Sequence, residues 1–267
     1  MPVTDREIEL AIAVTGRFES SGDPYVGVAG DYDGMGASLG VLQWNIGSNS
    51  LQPLVLGVGE AVVLGAMPLH GARLWSACNA APDQGCEIVR GWQTGAVLPE
   101  DVADELRALM GSPPMREAQR GRIRAMAERA DQLATGWARD RVQAERTTQE
   151  LIWFFDVLTQ NGSMRGIGHA DVEAFTAESG EDGALAAICD WLGAAGTDWW
   201  GRVDCLKNAE LWRAAPGGSF DLLILSYLRA RAATHPRARG VVMNRKGAIA
   251  MRRGHVNGAL FDFSAQF

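Results

Sequence analysis

The segment Thr148–Gly162, TQELIWFFDVLTQNG, constrains the fold more than any other part of the chain. Its apolar residues lie almost all round a helical wheel, which is typical of a helix buried on every side. Such a helix needs other elements around it, and a chain of 267 residues is long enough to supply them. We therefore expect a mainly α-helical fold built round this central helix.

Several other segments also have helical periodicity. Thr4 and Glu7 form a capping-box pattern that marks the start of an N-terminal helix. The Pro113-Pro114 pair is expected to open a long charged helix whose arginines form a solvated face. The segments predicted to be helical are 4–20, a stretch that begins near Ser50, 99–111, 116–143, 183–193 and 219–235.

A glycine-rich region near the N-terminus departs from this pattern. Residues 25–30 and 37–45 are predicted to be two short strands, joined by a turn over 33–36. The expected fold class is therefore mainly α, with a small β-hairpin that gives it an α+β character. No internal repeat or long linker divides the chain, so we expect one domain, residues 1–267.

Glu19 is the first candidate catalytic residue. In a helix over 4–20 it falls on the apolar face, close to Ile8, Ile12 and Thr15. Loss of solvation raises the pKa of a carboxyl, which suits a general acid near neutral pH. The alternative is a glutamate that turns out to solvent just past the last helical turn.

Asp33 is the second candidate, at the tip of the predicted hairpin. Two carboxyls in unlike environments are typical of the acid and base of glycoside hydrolysis. Gly34 and Gly36 would let a bulky sugar chain approach the backbone. Asp31 shares the hairpin and is the reserve candidate for the base.

Asp156 lies in the middle of the segment that is expected to be buried. A buried carboxylate is costly unless a cation or hydrogen bonds compensate its charge. A cation or hydrogen-bond donors from elsewhere in the chain are therefore expected beside it.

Several classes of site do not fit this sequence. GMGASLG has neither dinucleotide-binding nor P-loop spacing, and a calcium loop from Asp31 would place Met35 and Leu42 where oxygen ligands are required. The four histidines form no recognisable nucleophile–base arrangement. We expect no metal and no cofactor. A net charge of −7 also argues against a nucleic-acid partner.

The cysteines and the N-terminal sequence indicate the cellular compartment of the protein. Cys78, Cys86, Cys189 and Cys205 fit no zinc spacing, which leaves free thiols or disulfides such as Cys78–Cys86. The N-terminus lacks the basic and apolar regions of a signal peptide, and no segment has the length of a membrane span. The protein is expected to be made in the cytoplasm and to have no membrane partner.

At the two candidate carboxylates the chain resembles the chitosanase family of the lysozyme superfamily. FE at 18–19 and DGMGASLG at 33–40 are similar to the family's F-E pair and D-G-R-G-I-T-A-G hairpin. The resemblance implies that Glu19 is the general acid, Asp33 the general base and Ser38 the hydroxyl that helps to hold the attacking water. It also implies a lysozyme-like fold of two lobes, with the hairpin beside the active-site cleft.

Three further segments resemble the same family. LIWFFDVLTQNG is similar to its central helix, SYLRAR to its A-F-L-D-A-R and RRGHVNG to its closing K-A-G-N-L-D-L. Asp156 then matches a buried aspartate of the family, and Arg231 matches the arginine of A-F-L-D-A-R. Arg239 and Arg245 keep the six-residue spacing of a later arginine pair. The resemblance implies an arginine–aspartate network that supports Glu19.

GVLQWNIGSNSLQPL, residues 40–54, instead looks like lysozyme-type cell-wall hydrolases of phage lysis cassettes and interbacterial toxins. In this interpretation Gln43, Trp44 and Asn45 contact the sugars. Such a protein would reach the wall through phage lysis or a secretion system.

The expected function is therefore hydrolysis of a β-1,4-linked amino-sugar polymer by an inverting mechanism. The peptidoglycan glycan strand is the favoured substrate, and chitosan is the alternative. A non-catalytic glycan-binding module and a plain helical scaffold are the competing classes.

Overall fold

The computed structural model describes residues 2–18, 23–32, 34–142 and 145–267. Most of these residues are helical, with two small antiparallel sheets. The prediction of a mainly α fold is therefore confirmed. The chain forms two compact units, one of residues 1–18 and 126–267 and the other of residues 19–125. Among the described residues no helix is both long and apolar enough to cross a membrane.

The first unit contains the N-terminal helix and the C-terminal half of the chain. Its elements are α1 (Asp5–Arg17), the last part of α7 (Pro113–Val142), α8 (Thr148–Asn161), α9 (His169–Gly193), α10 (Arg202–Ala214), α11 (Phe220–Arg231), α12 (Arg239–Ala250), β4 (Arg253–Val256) and β5 (Ala259–Asp262). The helix α9 is interrupted at Gly180, whose φ of +68° is not helical.

The predicted central helix is α8, and it is buried as expected. Its residues from Gln149 to Leu158 are all buried. The helix packs against α1 and α12, and the indole nitrogen of Trp153 donates a 2.9 Å hydrogen bond to the hydroxyl of Ser226 in α11. The side chain of Gln149 caps the end of α12 by donating to the carbonyls of Ile249 and Ala250.

The helix α1 begins where the sequence predicts and ends earlier. Thr4 and Glu7 form both bonds of the capping box. The helix ends at Arg17, and Phe18 is its C-cap, with φ −76° and ψ −17°. The expected helix over 4–20 is therefore too long, and Glu19 follows the end of α1.

The unit of residues 19–125 contains a small sheet and five shorter helices, followed by the start of α7. The strands are β1 (Val28–Ala29), β2 (Ser38–Leu39) and β3 (Trp44–Asn45), and the helices are α2 (Gln52–Val58), α3 (Glu60–Ala66), α4 (Gly71–Asn79), α5 (Pro82–Arg90) and α6 (Glu100–Gly111). The sheet is antiparallel in the order β1-β2-β3.

The predicted strand over 37–45 is wrong in one respect, because it divides into β2 and β3. Gly40 and Gln43 both have positive φ, +73° and +53°, so the chain turns between them. Gly40 is required there, since a Cβ would lie 2.7 Å from the side-chain oxygen of Gln119 and 2.9 Å from the ring of Trp44.

All four cysteines are buried free thiols, so the alternative of a Cys78–Cys86 disulfide is not realised. Burial raises the pKa of Cys78 to about 12 and that of Cys205 to about 11. Thiols of this kind are poor nucleophiles.

Candidate active site

The two predicted catalytic carboxylates, Glu19 and Asp33, lie outside the described residues. One sequence neighbour of Glu19 and both neighbours of Asp33 are described. Phe18 precedes Glu19, while Tyr32 and Gly34 flank Asp33. Phe18 belongs to one compact unit, and Tyr32 and Gly34 belong to the other.

Phe18 is held in the core of its unit by aromatic contacts. Its ring makes edge contacts with Phe261 and Phe263, at centroid distances of 5.2 Å and 5.9 Å. The guanidinium carbon of Arg245 lies 5.0 Å from the centre of the same ring, a cation–π contact. The chain thus leaves α1 from a well-anchored residue.

Arg245 belongs to a buried cluster of charged and polar side chains, which we call the Asp156 cluster. It consists of Asp156, Gln160, Arg245 and Lys246. The Arg245 Nε donates to Asp156 Oδ1 at 2.6 Å, and the Lys246 Nζ donates to Asp156 Oδ2 at 3.0 Å. The Lys246 Nζ also donates to the side-chain oxygen of Gln160 at 2.6 Å.

The charges of the Asp156 cluster are fully removed from solvent or nearly so. Burial alone would raise the pKa of Asp156, but the charges of Arg245 and Lys246 and their hydrogen bonds lower it below its ordinary value. Burial lowers the pKa of Lys246 to about 8, with a further lowering by Arg245, against the opposing effect of Asp156. With Asp156, Arg245 and Lys246 all ionised, the cluster carries one net positive charge.

Of the three arginines assigned to this network, Arg245 is the one that pairs with Asp156 among the described residues. Arg231 is exposed and donates to the hydroxyl of Tyr227. Arg239 is the first residue of α12, and the described ion pairs of Asp156 do not include it. The assignment of Arg231 to the network is therefore wrong, whereas that of Arg239 stays a prediction. The inward-facing arginine of α11 is Arg229, which donates to the carbonyl of Ser163 at 2.9 Å.

Lys246 is the cation of the cluster that the sequence did not reveal. A lysine is usually solvated, but α12 is buried from Val242 to Ala250. The small and apolar run that follows Lys246, GAIA, was the available signal.

In the unit of residues 19–125, Asp31 holds the loop that carries Asp33. Its Oδ1 accepts the Gly36 N–H at 2.6 Å, and its Oδ2 accepts Nε of Arg90 at 2.5 Å. Burial would raise the pKa of Asp31, but the hydrogen bonds from Arg90 and Gly36 and the charge of Arg90 lower it. With both oxygens engaged and a lowered pKa, Asp31 is unsuited to the role of reserve base.

Arg90 and Gln93, at and just after the end of α5, complete this support. Arg90 also donates to the carbonyl of Gly34 at 2.6 Å. The side-chain amide of Gln93 accepts the Asp31 N–H at 2.8 Å and donates to the Gly36 carbonyl at 2.7 Å. Sequence reasoning missed both residues because they lie about sixty positions from the loop.

The two loop glycines have different roles. Gly34 has φ +80°, is exposed and has open space where a Cβ would be. Gly36 has φ +88° and is buried, and a Cβ there would lie 2.9 Å from Val89 of α5. Gly36 therefore serves the packing of the loop on α5, which corrects its assignment as an approach point for substrate.

The residues predicted for water and sugar contacts are mostly enclosed. Ser38 lies in β2, opposite Asn45, with 6% of its surface exposed. Trp44 is 7% exposed, so its ring offers no open face to a sugar. The side chains of Gln43 and Asn45 are bonded to local backbone, at the Gly40 carbonyl and the Ser48 N–H. Trp44 is thus a core residue, and Gln43 and Asn45 stabilise turns.

Tyr32 is the open aromatic residue of this loop, with 74% of its surface exposed. It directly precedes Asp33, and sequence reasoning passed over it in favour of Trp44. In the unit of residues 1–18 and 126–267, a buried cationic cluster thus lies at Phe18, the residue before Glu19. In the unit of residues 19–125, hydrogen bonds brace the backbone on either side of Asp33. Comparisons with protein-family models, with curated proteins and with solved structures found no match to this chain.

Proposed function

We propose that this protein is a glycoside hydrolase that cleaves β-1,4 bonds of an amino-sugar polymer, with the peptidoglycan glycan strand as substrate. Glu19 is its general acid and Asp33 its general base, in a single lysozyme-like domain of residues 1–267. The observation that carries the proposal is the contact of Arg245, bonded to the buried Asp156, with Phe18, the residue before Glu19.

The energetic cost of the Asp156 cluster supports a role beyond stability. Buried ion pairs often contribute less to stability than apolar residues of the same volume. Perturbed ionisable groups of this kind concentrate at functional sites. A fixed positive charge near Glu19 would hold its carboxylate in place and would limit the rise in pKa that burial gives to this carboxyl, since an adjacent cation favours the charged form.

The loop around Asp33 supports the assignment of the base. Asp31, Arg90 and Gln93 brace the backbone on either side of it. Its neighbours Tyr32 and Gly34 are both exposed. A base with braced and exposed neighbours can take a proton from water, and Tyr32 can lie against a sugar ring.

The proposed reaction inverts the anomeric configuration. Glu19 gives its proton to the leaving oxygen while Asp33 takes a proton from the attacking water, which requires carboxyl groups about 6.5–9.5 Å apart. Ser38 keeps the role of holding this water, and its burial would make the water an enclosed one.

Chitosan is the second candidate substrate. The net charge of −7 favours a cationic polymer over the anionic cell wall. The chemistry at Glu19 and Asp33 would be the same.

The test is digestion of purified peptidoglycan and of chitosan in parallel, with mass analysis of the soluble products. We expect muropeptides with reducing-end N-acetylmuramic acid from peptidoglycan. Release of glucosamine oligomers from chitosan, with no product from peptidoglycan, would show that chitosan is the substrate. If the folded protein releases nothing from either polymer but sediments with one of them, it is a glycan-binding module and the proposed activity is wrong.

A further inference from the structure

The turn between β4 and β5 is a two-residue turn formed by Asn257 and Gly258. Val256 pairs with Ala259 in the antiparallel register, and the two turn residues have φ of +52° and +83°. Two positive φ values in an Asn-Gly pair are typical of a tight type I′ hairpin turn. The turn therefore has little conformational freedom of its own.

The hairpin is also anchored to α10. The Gly258 N–H donates to Oδ2 of Asp204, a buried residue, at 3.0 Å. The side chain of Asn208 accepts the His255 N–H at 2.6 Å and donates to the His255 carbonyl at 2.9 Å. These bonds fix the position of the turn within its unit.

From this anchored turn, Asn257 reaches the end of α1. Its Nδ2 donates a 2.7 Å hydrogen bond to the carbonyl oxygen of Phe18, 239 positions earlier in the chain. The last carbonyls of a helix lack partners within the helix, so an outside donor satisfies one of them. The bond joins the C-terminal hairpin to the residue from which the chain continues to Glu19.

The hydrogen bond from Asn257 restrains the peptide group that joins Phe18 to Glu19. The carbonyl of Phe18 and the nitrogen of Glu19 belong to one planar peptide group. A hydrogen bond at the oxygen therefore restrains ψ of Phe18, which is −17°. The aromatic contacts of Phe18 fix its ring, and Asn257 fixes the orientation of its carbonyl.

We propose that Asn257 is a positioning residue for the general acid, and this inference rests on the proposed function of Glu19. Asn257 does not act on the substrate. It holds the peptide plane that leads into Glu19, so that the carboxyl meets the leaving oxygen in a fixed orientation. Errors of about 1 Å in such positioning cost about 100-fold in rate.

The alternative is that Asn257 serves only the backbone conformation of the turn. Asparagine is tolerated at positive φ better than most residues, so its backbone conformation alone would account for its presence. Glycine also adopts this conformation but lacks the side-chain donor. Asn257→Gly therefore removes the bond to Phe18 and keeps the turn.

The experiment compares the wild type, Asn257→Gly and Asn257→Asp, which has the same shape but no amide donor. Asn49→Gly is the matched control, since Asn49 is exposed and also has a positive φ, +56°. Initial rates are measured on soluble, uncrosslinked peptidoglycan strands and on chitosan across pH, together with thermal unfolding of each variant.

We expect kcat to fall about 10- to 100-fold in both Asn257 variants, with KM unchanged and the alkaline limb of the pH profile displaced. Asn49→Gly should behave as the wild type. An active wild type whose kcat and pH profile survive Asn257→Gly would overturn the positioning role and leave the proposed function standing. A rate loss that only follows the loss of folded protein would also overturn it. An inactive wild type would overturn both proposals.

Discussion

The carboxylate of Asp156, fully buried in α8, accepts a 2.6 Å hydrogen bond from Nε of Arg245 in α12. Lys246, the next residue of α12, donates a hydrogen bond to the second oxygen of this carboxylate. Two neighbouring cations thus share one anion within the core, and one of them contacts the ring of Phe18.

The first prediction concerns the stability contributed by the Asp156 cluster. Asp156→Asn leaves two buried cations without their anion, so we expect a loss of about 3–5 kcal/mol in the free energy of unfolding. Arg245→Met should lower the free energy of unfolding by less, because Lys246 still compensates the charge of Asp156. Urea unfolding at pH 7 measures the free energy of unfolding of both variants.

Arg213→Met, which breaks an exposed pair with Asp190, should cost under about 1 kcal/mol. An equal loss in Asp156→Asn and Arg213→Met would contradict this account.

The second prediction concerns the pH dependence of the proposed activity. The net positive charge of the Asp156 cluster is expected to lower the pKa of Glu19. Lys246→Met removes one positive charge, so the pKa of the acid should rise and the alkaline limb of kcat/KM should move to higher pH. The exposed lysine Lys207 supplies the control, and Lys207→Met should leave the limb in place. If the alkaline limb of kcat/KM stays at the same pH in Lys246→Met, the Asp156 cluster does not change the pKa of Glu19.

The third prediction concerns stability in acid. The hydrogen bond from Arg146 is the main reason that the pKa of Glu7 is lowered from 4.5 to about 2. A carboxyl with a lowered folded-state pKa contributes stability above its unfolded value, and this contribution is lost as the pH falls towards 2. The lowering corresponds to about 3 kcal/mol of folding free energy.

Glu7→Gln tests this contribution, because glutamine can keep the capping box with Thr4 while removing the charge. The difference in unfolding free energy between wild type and variant should be full above pH 4.5 and shrink between pH 4.5 and about 2. Glu9→Gln, on the exposed side of α1, should show no such dependence. A difference that is constant across this range would mean that the charge of Glu7 is not the source.

The fourth prediction concerns the loop on either side of Asp33. Arg90→Gln removes the bonds to Asp31 and to the Gly34 carbonyl. We expect kcat/KM to fall about 10-fold or more, since the base would be less well positioned, with little change in thermal stability. Arg107→Gln is a close control, since Arg107 and Arg90 side chains are 43% and 44% exposed and both pair with carboxylates. Equal effects of the two substitutions on kcat/KM would show that the contacts of Arg90 do not position the base.

The sequence predicts the elements of this protein better than its contacts. Helical periodicity and capping patterns located α1, α6, α7, α8 and α11, because these signals are local. The turn at Gly40 and the hairpin at Asn257 were missed although each carries a glycine. In both cases the structure is fixed by distant partners, Gln119 for Gly40 and α10 for the C-terminal hairpin.

The candidate site shows the same limit. The cost of burying Asp156 predicts a cation, but spacing alone cannot choose among Arg231, Arg239, Arg245 and Lys246. The choice depends on which side of α11 and α12 faces α8. For the same reason Trp44 was expected at the substrate and lies in the core, whereas Tyr32 is exposed.

The central claim is that Glu19 is the acid of a glycan-cleaving enzyme, and the most direct test is the rate of peptidoglycan cleavage by Glu19→Gln beside Glu9→Gln. Glutamine cannot supply the proton, whereas Glu9 is an exposed carboxyl of α1 with no proposed role. We predict that muropeptides are released at the wild-type rate by Glu9→Gln, and at least about 100-fold more slowly by folded Glu19→Gln. Equal release by the two variants would contradict the account.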